Sequence, residues 1–335
     1  MRRAALVVDT VPDPVPGPGE VLVRTLACGI CGSDLHALRH ADKMVEAARE
    51  SGVPFTLDPA RDIVMGHEFC AEILEFGPET QRALHPGDRV VSMPLALGIV
   101  GAHTIGYSNE YPGGYGERMV LSEPFLLPVP NGLPTEHAAL TEPMAVGVHA
   151  VAKARLTPDD VPLVIGCGPV GLAVIAALRP RGAEPIVAAD FSPARRLLAT
   201  GLGAHIVVDP AVQRPIAAWE AAAGVRPAVI FECVGVPGLL HDVMREAPRD
   251  ARIVVVGVCM EDDRIRPMIG INKELSLQFV LGYAPDEFAE TLGHLAEGRI
   301  AVAPLVTGRV GIDGVPGAFE ELARPAAHAK ILVEP

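Results

Sequence analysis

The sequence predicts an α/β protein in two parts: a β-rich domain of short strands, and a doubly wound parallel sheet with helices on its faces. Three observations carry this. The texture changes near residue 148, from short β-rich runs broken by Gly/Pro turns to strands alternating with helices. From about Pro162 that alternation repeats several times, as parallel βαβ units require. A glycine-rich turn, Gly166–Gly171, follows an apolar strand and opens a helix.

In the first part the expected strands are Glu20–Ala27, Glu68–Phe76, Arg89–Met93 and Glu117–Leu121, and Met1–Asp9 reads as a first strand. Pro16-Gly-Pro-Gly19, Pro86-Gly-Asp88 and Pro112-Gly-Gly114 supply the turns between them. Ala41–Ser51 is helical in composition; its charges favour a solvated surface helix over a lid or subunit contact. In the second part the expected strands are Leu163–Gly166, Pro185–Asp190, His205–Asp209, Ala228–Cys233, Arg252–Val258 and Leu275–Leu281. Helical spacing covers Pro193–Gly201, Pro237–Ala247, Asp286–Gly298 and a segment near Gly317–Ala323.

Composition narrows the function. The chain has 335 residues, 49% hydrophobic, which supports about two cored domains without disulfide staples. Acidic residues outnumber basic ones by 41 to 28, and no basic stretch is interleaved with aromatics, so neither nucleic acid nor an anionic membrane is an expected partner. No apolar run approaches the ~20 residues of a membrane span. The six cysteines (Cys28, Cys31, Cys70, Cys167, Cys233, Cys259) read as reduced thiols or metal ligands in a cytoplasmic protein. Cys70, Cys233 and Cys259 sit in strand-like runs as expected buried thiols, and His149 reads as a packed helix residue.

Gly166-Cys-Gly168-Pro169-Val170-Gly171 matches the dinucleotide fingerprint. Gly166 allows the tight turn, Gly168 lets backbone approach a pyrophosphate, and Gly171 lets the helix pack on the strand; the helix N-terminus then faces the phosphates. Asp190 ends the next strand, where its carboxylate accepts from ribose hydroxyls and repels a 2′-phosphate. That favours NAD over NADP, although Arg195 and Arg196 follow.

A second constellation is scattered. The cysteines and His36 of Cys28–His36, then His67 and Glu68, then Glu142, offer the thiolate, imidazole and carboxylate ligand types of a catalytic zinc with an open position. Such a zinc polarises an alcohol or carbonyl oxygen. The pair Cys28-x-x-Cys31 lacks the second close pair that a zinc knuckle needs. His67 and Glu68 are neighbours; on a strand they would point to opposite faces, and both could reach one metal only through a turn, which Gly66 allows.

The stretches CGICGSDLH, GHEFCAEI, PGDRVV, GGYGE, TEPMAVGVHA, GCGPVG and FECVG, in this order, resemble the zinc-containing medium-chain dehydrogenases, especially the polyol, threonine and secondary-alcohol branch. The resemblance implies a GroES-like catalytic domain of residues 1–148 and 284–335, and a Rossmann coenzyme domain of 149–283. It implies Cys31 and His67 as zinc ligands, with Glu142 first and Glu68 second as the carboxylate, Glu68 otherwise lying just outside the ligand shell. Asp34 would orient His67. Ser33 and His36 would relay the alcohol proton through the cofactor ribose to solvent, and Arg195 would touch the cofactor.

The implied reaction is hydride transfer between an alcohol and NAD, in either direction, on a substrate held between the domains, in a homodimer or homotetramer. The rivals are a zinc-free quinone or enoyl reductase and a non-catalytic nucleotide-binding protein on the same scaffold. Relatives with a structural zinc carry four close cysteines where Leu95–Tyr115 has none, only His103, so one zinc is expected. Lys330 reads as solvated or, at the sharpest, as a contact to cofactor phosphate.

Overall fold

Strand β1 (Glu20–Gly29) is the hub of the first sheet, pairing with β2 (Glu68–Phe76), β6 (Arg118–Ser122) and β15 (Lys330–Val333), all antiparallel. The computed structural model describes residues 1–98, 101–324 and 328–335. Beyond β2 the sheet continues through β3 (Arg89–Ser92) and β7 (Leu126–Pro128), and beyond β15 it ends at β14 (Val306–Val310). A separate hairpin joins β4 (Leu95–Gly98) to β5 (Gly101–Thr104); residues 99–100 of the cysteine-free stretch lie outside the described residues.

Alternation builds this core: Val21 and Val23 on β1, Phe69, Ala71 and Ile73 on β2, and Met119 and Leu121 on β6 are buried together with Met65, Ile105 and Phe319. Pairing of Gly29 with Glu68 and of Cys28 with Val333 brings the end of β1, the start of β2 and the final strand to one corner. That corner carries the site.

Helix α1 (Gly32–Ser51) leaves it directly. It kinks at His40 and ends on left-handed Gly52. The Ala41–Ser51 segment is its second half and is only partly solvated: Ala41, Met44 and Val45 pack against the core while Asp42, Glu46 and Glu50 are exposed. The expected strand at Met1–Asp9 does not form. Arg3 and Ala4 take positive φ, and the Met1 amine donates to Ile63 O at 2.6 Å, so the chain turns back instead of extending.

Short α2 (Thr135–Ala138) precedes α3 (Thr141–Ala154). The chain packs as two units, Met1–Glu142 with Val306–Pro335, and Pro143–Leu305. In the second, six parallel strands run in the order β10 (Ile206–Val208), β9 (Val187–Ala189), β8 (Val161–Ile165), β11 (Ala228–Glu232), β12 (Arg252–Val255), β13 (Ser276–Phe279). Helices α4 (Pro169–Leu178), α5 (Pro193–Leu202), α6 (Pro215–Ala223), α7 (Leu239–Glu246) and α8 (Pro267–Lys273) connect them. Counting from β8, this is the doubly wound order whose reversal between the first and fourth strands creates a ligand crevice.

The helix α9 (Pro285–Ala296), expected with the first domain, packs in the second unit. Its buried Phe288, Leu292 and Leu295 need that core, and Glu287 meets His149 of α3 at 2.7 Å. The chain re-enters the first unit at Val306, and α10 (Val315–Leu322) covers that core.

Candidate active site

Cys31 follows β1 and caps α1, so the strand end and the helix start together fix its position. Gly66 has φ +102, and a Cβ there would crowd the Tyr115 ring and the Cys28 sulfur; only glycine fits. Because Gly66 turns the chain before β2 begins, His67 and Glu68 both reach the corner. One ligand atom each from Cys31, His67 and Glu68 lies within 4.8 Å of the others. Among the described residues no other group of three such donors converges. Glu142, at the start of α3, contributes no atom to it.

Asp34 lies beneath this group, fully buried. Its Oδ2 accepts from Cys31 N at 3.0 Å and Tyr115 Oη at 2.7 Å, and its Oδ1 from Tyr107 Oη at 3.0 Å. Burial works to raise the pKa of Asp34, but the His67 charge and the donors around it hold it below the usual carboxylate value. Burial pushes His67 down, yet the neighbouring Asp34 carboxylate, and then Cys31, raise it well above the usual imidazole value. His67 Nδ1 stands 3.4 Å from Asp34 Oδ1, within ion-pair reach, but off the line a hydrogen bond needs, and it has no hydrogen-bond partner. A thiol, an imidazole and a carboxylate converging within 4.8 Å, with Asp34 beside the other ring nitrogen of the imidazole, fit zinc.

Lys330 departs from its expected role. It is buried, and its Nζ donates to both Glu68 oxygens at 2.7 Å and to Ile30 O at 3.0 Å. Burial alone would lower its pKa; Glu68 first, then Cys31 and Glu142, raise it. The lysine is the countercharge of the acidic corner.

Ser33 Oγ lies 3.5 Å from His67 Nε2 and 2.8 Å from Tyr107 Oη. His36, three residues on and thus on the same face of α1, is half-buried. Burial, then the charges of His40 and Arg39, lower its pKa. No spacing rule ties Tyr107 and Tyr115 to residues 31–36, and only the GGYGE motif marks the neighbourhood of Tyr115.

Other candidates have structural roles. Cys28 is fully buried under Gly66 and Gly114, and its thiol is pushed well up by burial. His103 bonds Ser108 at 3.0 Å. Cys70 and Cys233 are buried as expected, whereas Cys259 is half-buried and lies outside any strand.

In the second unit the glycine turn has the expected form. Gly166 turns with φ +92, and a Cβ on Gly171 would collide with the Gly166 carbonyl. A Cβ on Gly168 would meet only the Arg195 guanidinium, 3.9 Å away, so that face of the turn is open. Pro169 and Val170 open α4 immediately after it. Asp190 accepts from Cys167 N and Ser192 N, both at 2.8 Å, which ties the acid to the glycine turn. Arg196 is engaged by Asp190 O, Phe191 O and Asp209, while Arg195 Nε has no partner. The Cys167 thiol is fully buried, and burial pushes its pKa up to about 12.

Residues 17–131 match the alcohol dehydrogenase GroES-like domain, and residues 169–297 match the zinc-binding dehydrogenase domain. The chain is 33% identical to the (R,R)-butanediol dehydrogenase of Bacillus subtilis (strain 168), over 98% of this chain and 96% of that protein. It is 29% identical to the L-threonine 3-dehydrogenase of Rhizobium rhizogenes (strain K84), over 99% and 96%. The crystal structure of the 2R,3R-butanediol dehydrogenase from Bacillus subtilis superposes with a TM-score of 0.84 at 31% identity, covering 100% of this chain and 98% of that one. With two domain matches and a likeness along nearly its whole length, the chain belongs to the zinc-dependent medium-chain dehydrogenases and is an oxidoreductase.

Proposed function

We propose that the protein oxidises a secondary alcohol or polyol with NAD, and reduces the matching ketone, at one zinc. The observation that carries this is the convergence of Cys31, His67 and Glu68 within 4.8 Å beside the Ser33 hydroxyl. The centre would supply Lewis-acid polarisation of the alcohol or carbonyl oxygen, with the nicotinamide exchanging the hydride. The butanediol and threonine 3-dehydrogenase relatives, by their names, oxidise secondary carbinols.

Cys31 and His67 would hold the metal. For the carboxylate, proximity supports Glu68 over Glu142, the reverse of the order the resemblance implies. Asp34 orients His67. Ser33 takes the substrate proton, and His36 on the next turn of α1 releases it to solvent; a lowered pKa keeps that imidazole neutral and able to accept near pH 7. One zinc per chain is supported by the lack of cysteine in Leu95–Tyr115. NAD is supported by Asp190 at the end of β9, beside the glycine turn, with Arg195 near Gly168 as a further cofactor contact.

Strand β13 supports a homodimer or homotetramer. It is the edge of the second sheet; Phe279 at its end and Leu281 two residues beyond it are 63% and 82% exposed. No helix among the described residues is long and apolar enough to cross a membrane. Six unpaired thiols support a reducing, cytoplasmic location.

The test is zinc per chain together with NAD reduction on primary, secondary and polyol substrates. A metal-free protein whose turnover is unaffected by Cys31→Ala and by zinc addition would overturn the reading.

A further inference from the structure

We propose that Tyr107 is a positioning residue for the proton-accepting serine: its phenol fixes the Ser33 hydroxyl and ties it to Asp34 and so to His67. The inference rests on the functional reading above. Tyr107 follows the β4–β5 hairpin, far in sequence from α1, and only the fold brings it to this corner.

Three observations support it. Tyr107 is 6% exposed, and its ring is held between Phe55 and His67, with centroids 6.2 and 5.1 Å away, so its hydroxyl is placed by packing. That hydroxyl lies 2.8 Å from Ser33 Oγ and 3.0 Å from Asp34 Oδ1, so its one proton serves one partner while its oxygen can still accept from the serine. The other hydrogen-bonding contact of Ser33 here, to His67 Nε2, is long at 3.5 Å, so Tyr107 is the group that sets the serine rotor.

The chemistry suits a relay. Whichever of the two hydroxyls donates, a serine bonded to Tyr107 keeps at least one lone pair for the substrate proton. Without the phenol the side chain would sample other staggered rotamers, and a displaced hydroxyl loses proton-transfer geometry. Tyr115 is the built-in comparator: it donates to the other Asp34 oxygen at 2.7 Å, and no hydrogen bond joins it to Ser33.

The experiment compares Tyr107→Phe with Tyr115→Phe. Tyr107→Phe is expected to slow single-turnover NADH formation about tenfold or more. Zinc content and NADH affinity should stay unchanged, and crystals of the variant should show Ser33 Oγ in a different or mixed rotamer. Tyr115→Phe should slow the same step less and leave Ser33 in place. 3-Fluorotyrosine at position 107, which keeps the hydroxyl, should retain the rate and gives a folded control. Wild-type rates in Tyr107→Phe, equal losses in both variants, or an unmoved Ser33 would each overturn the proposal. If wild-type protein itself holds no zinc and oxidises no alcohol, the functional reading fails, while the Ser33 rotamer in Tyr107→Phe still decides the role of Tyr107.

Discussion

Lys330 donates to both carboxylate oxygens of Glu68 at 2.7 Å, in a pair whose side chains are 4% and 0% exposed. The last strand of the chain thereby places a countercharge on Glu68, the carboxylate of the proposed metal site. A buried pair of this kind adds little net stability over an apolar replacement, but an unpaired survivor is costly.

Lys330→Met is therefore expected to destabilise the protein by about 3–5 kcal/mol, and adding Glu68→Gln should recover most of that loss. Urea unfolding of chelator-treated protein measures both. A double variant no more stable than Lys330→Met would show that the pair is not the source of the cost.

The same double variant separates ligation from charge balance. If Glu68 completes the zinc set, Glu68→Gln/Lys330→Met should lower zinc affinity at least as much as the ~10–100-fold typical of a supporting residue. Glu142→Gln should lower it less. Competition with a chromophoric chelator reads the two directly, and the opposite ranking would return Glu142 to first place.

Zinc binding should strengthen as pH rises. The His67 pKa is raised in the fold, so its contribution to the metal-free protein is fully present below the ordinary 6.5 and is lost as pH rises through the raised value. Asp34 has a lowered pKa, and its contribution is lost only as pH falls below the ordinary 3.8, outside this window. Zinc must displace the His67 proton, so the zinc-induced rise in Tm should be larger at about pH 8.5 than at about pH 6. A pH-independent gain would contradict this.

Asp190→Asn keeps an acceptor for Cys167 N or Ser192 N but removes the charge that repels a 2′-phosphate. The preference for NAD over NADP in kcat/KM should narrow by at least about tenfold, the scale of one charge-assisted hydrogen bond.

Replacing Phe279 and Leu281 together by Glu should shift sedimentation to a smaller species, because charge at the end of an exposed edge strand and just beyond it blocks pairing with another copy. Unchanged sedimentation would place the subunit contact elsewhere.

Sequence alone determined what depends on neighbours along the chain. The parallel strands of the second sheet fall where apolar runs predicted them, and the glycine turn takes its expected form because strand, turn and helix there are consecutive. Cys31, Ser33, Asp34 and His36 share one short motif, and one helix start places them all. Met1–Asp9 is apolar enough to extend, yet its first residue bonds Ile63 and positive φ at Arg3 and Ala4 reverses the chain, which no local pattern announces. The tertiary structure alone decided the rest. Whether His67 and Glu68 face one point depended on the φ of Gly66, which composition permits but does not impose. The burial of Lys330 against Glu68, and the approach of Tyr107 to Ser33, join residues far apart in sequence through a sheet and a packed ring. Such contacts carry no local periodicity, because their energy lies in burial and charge pairing made only once the chain has closed on itself.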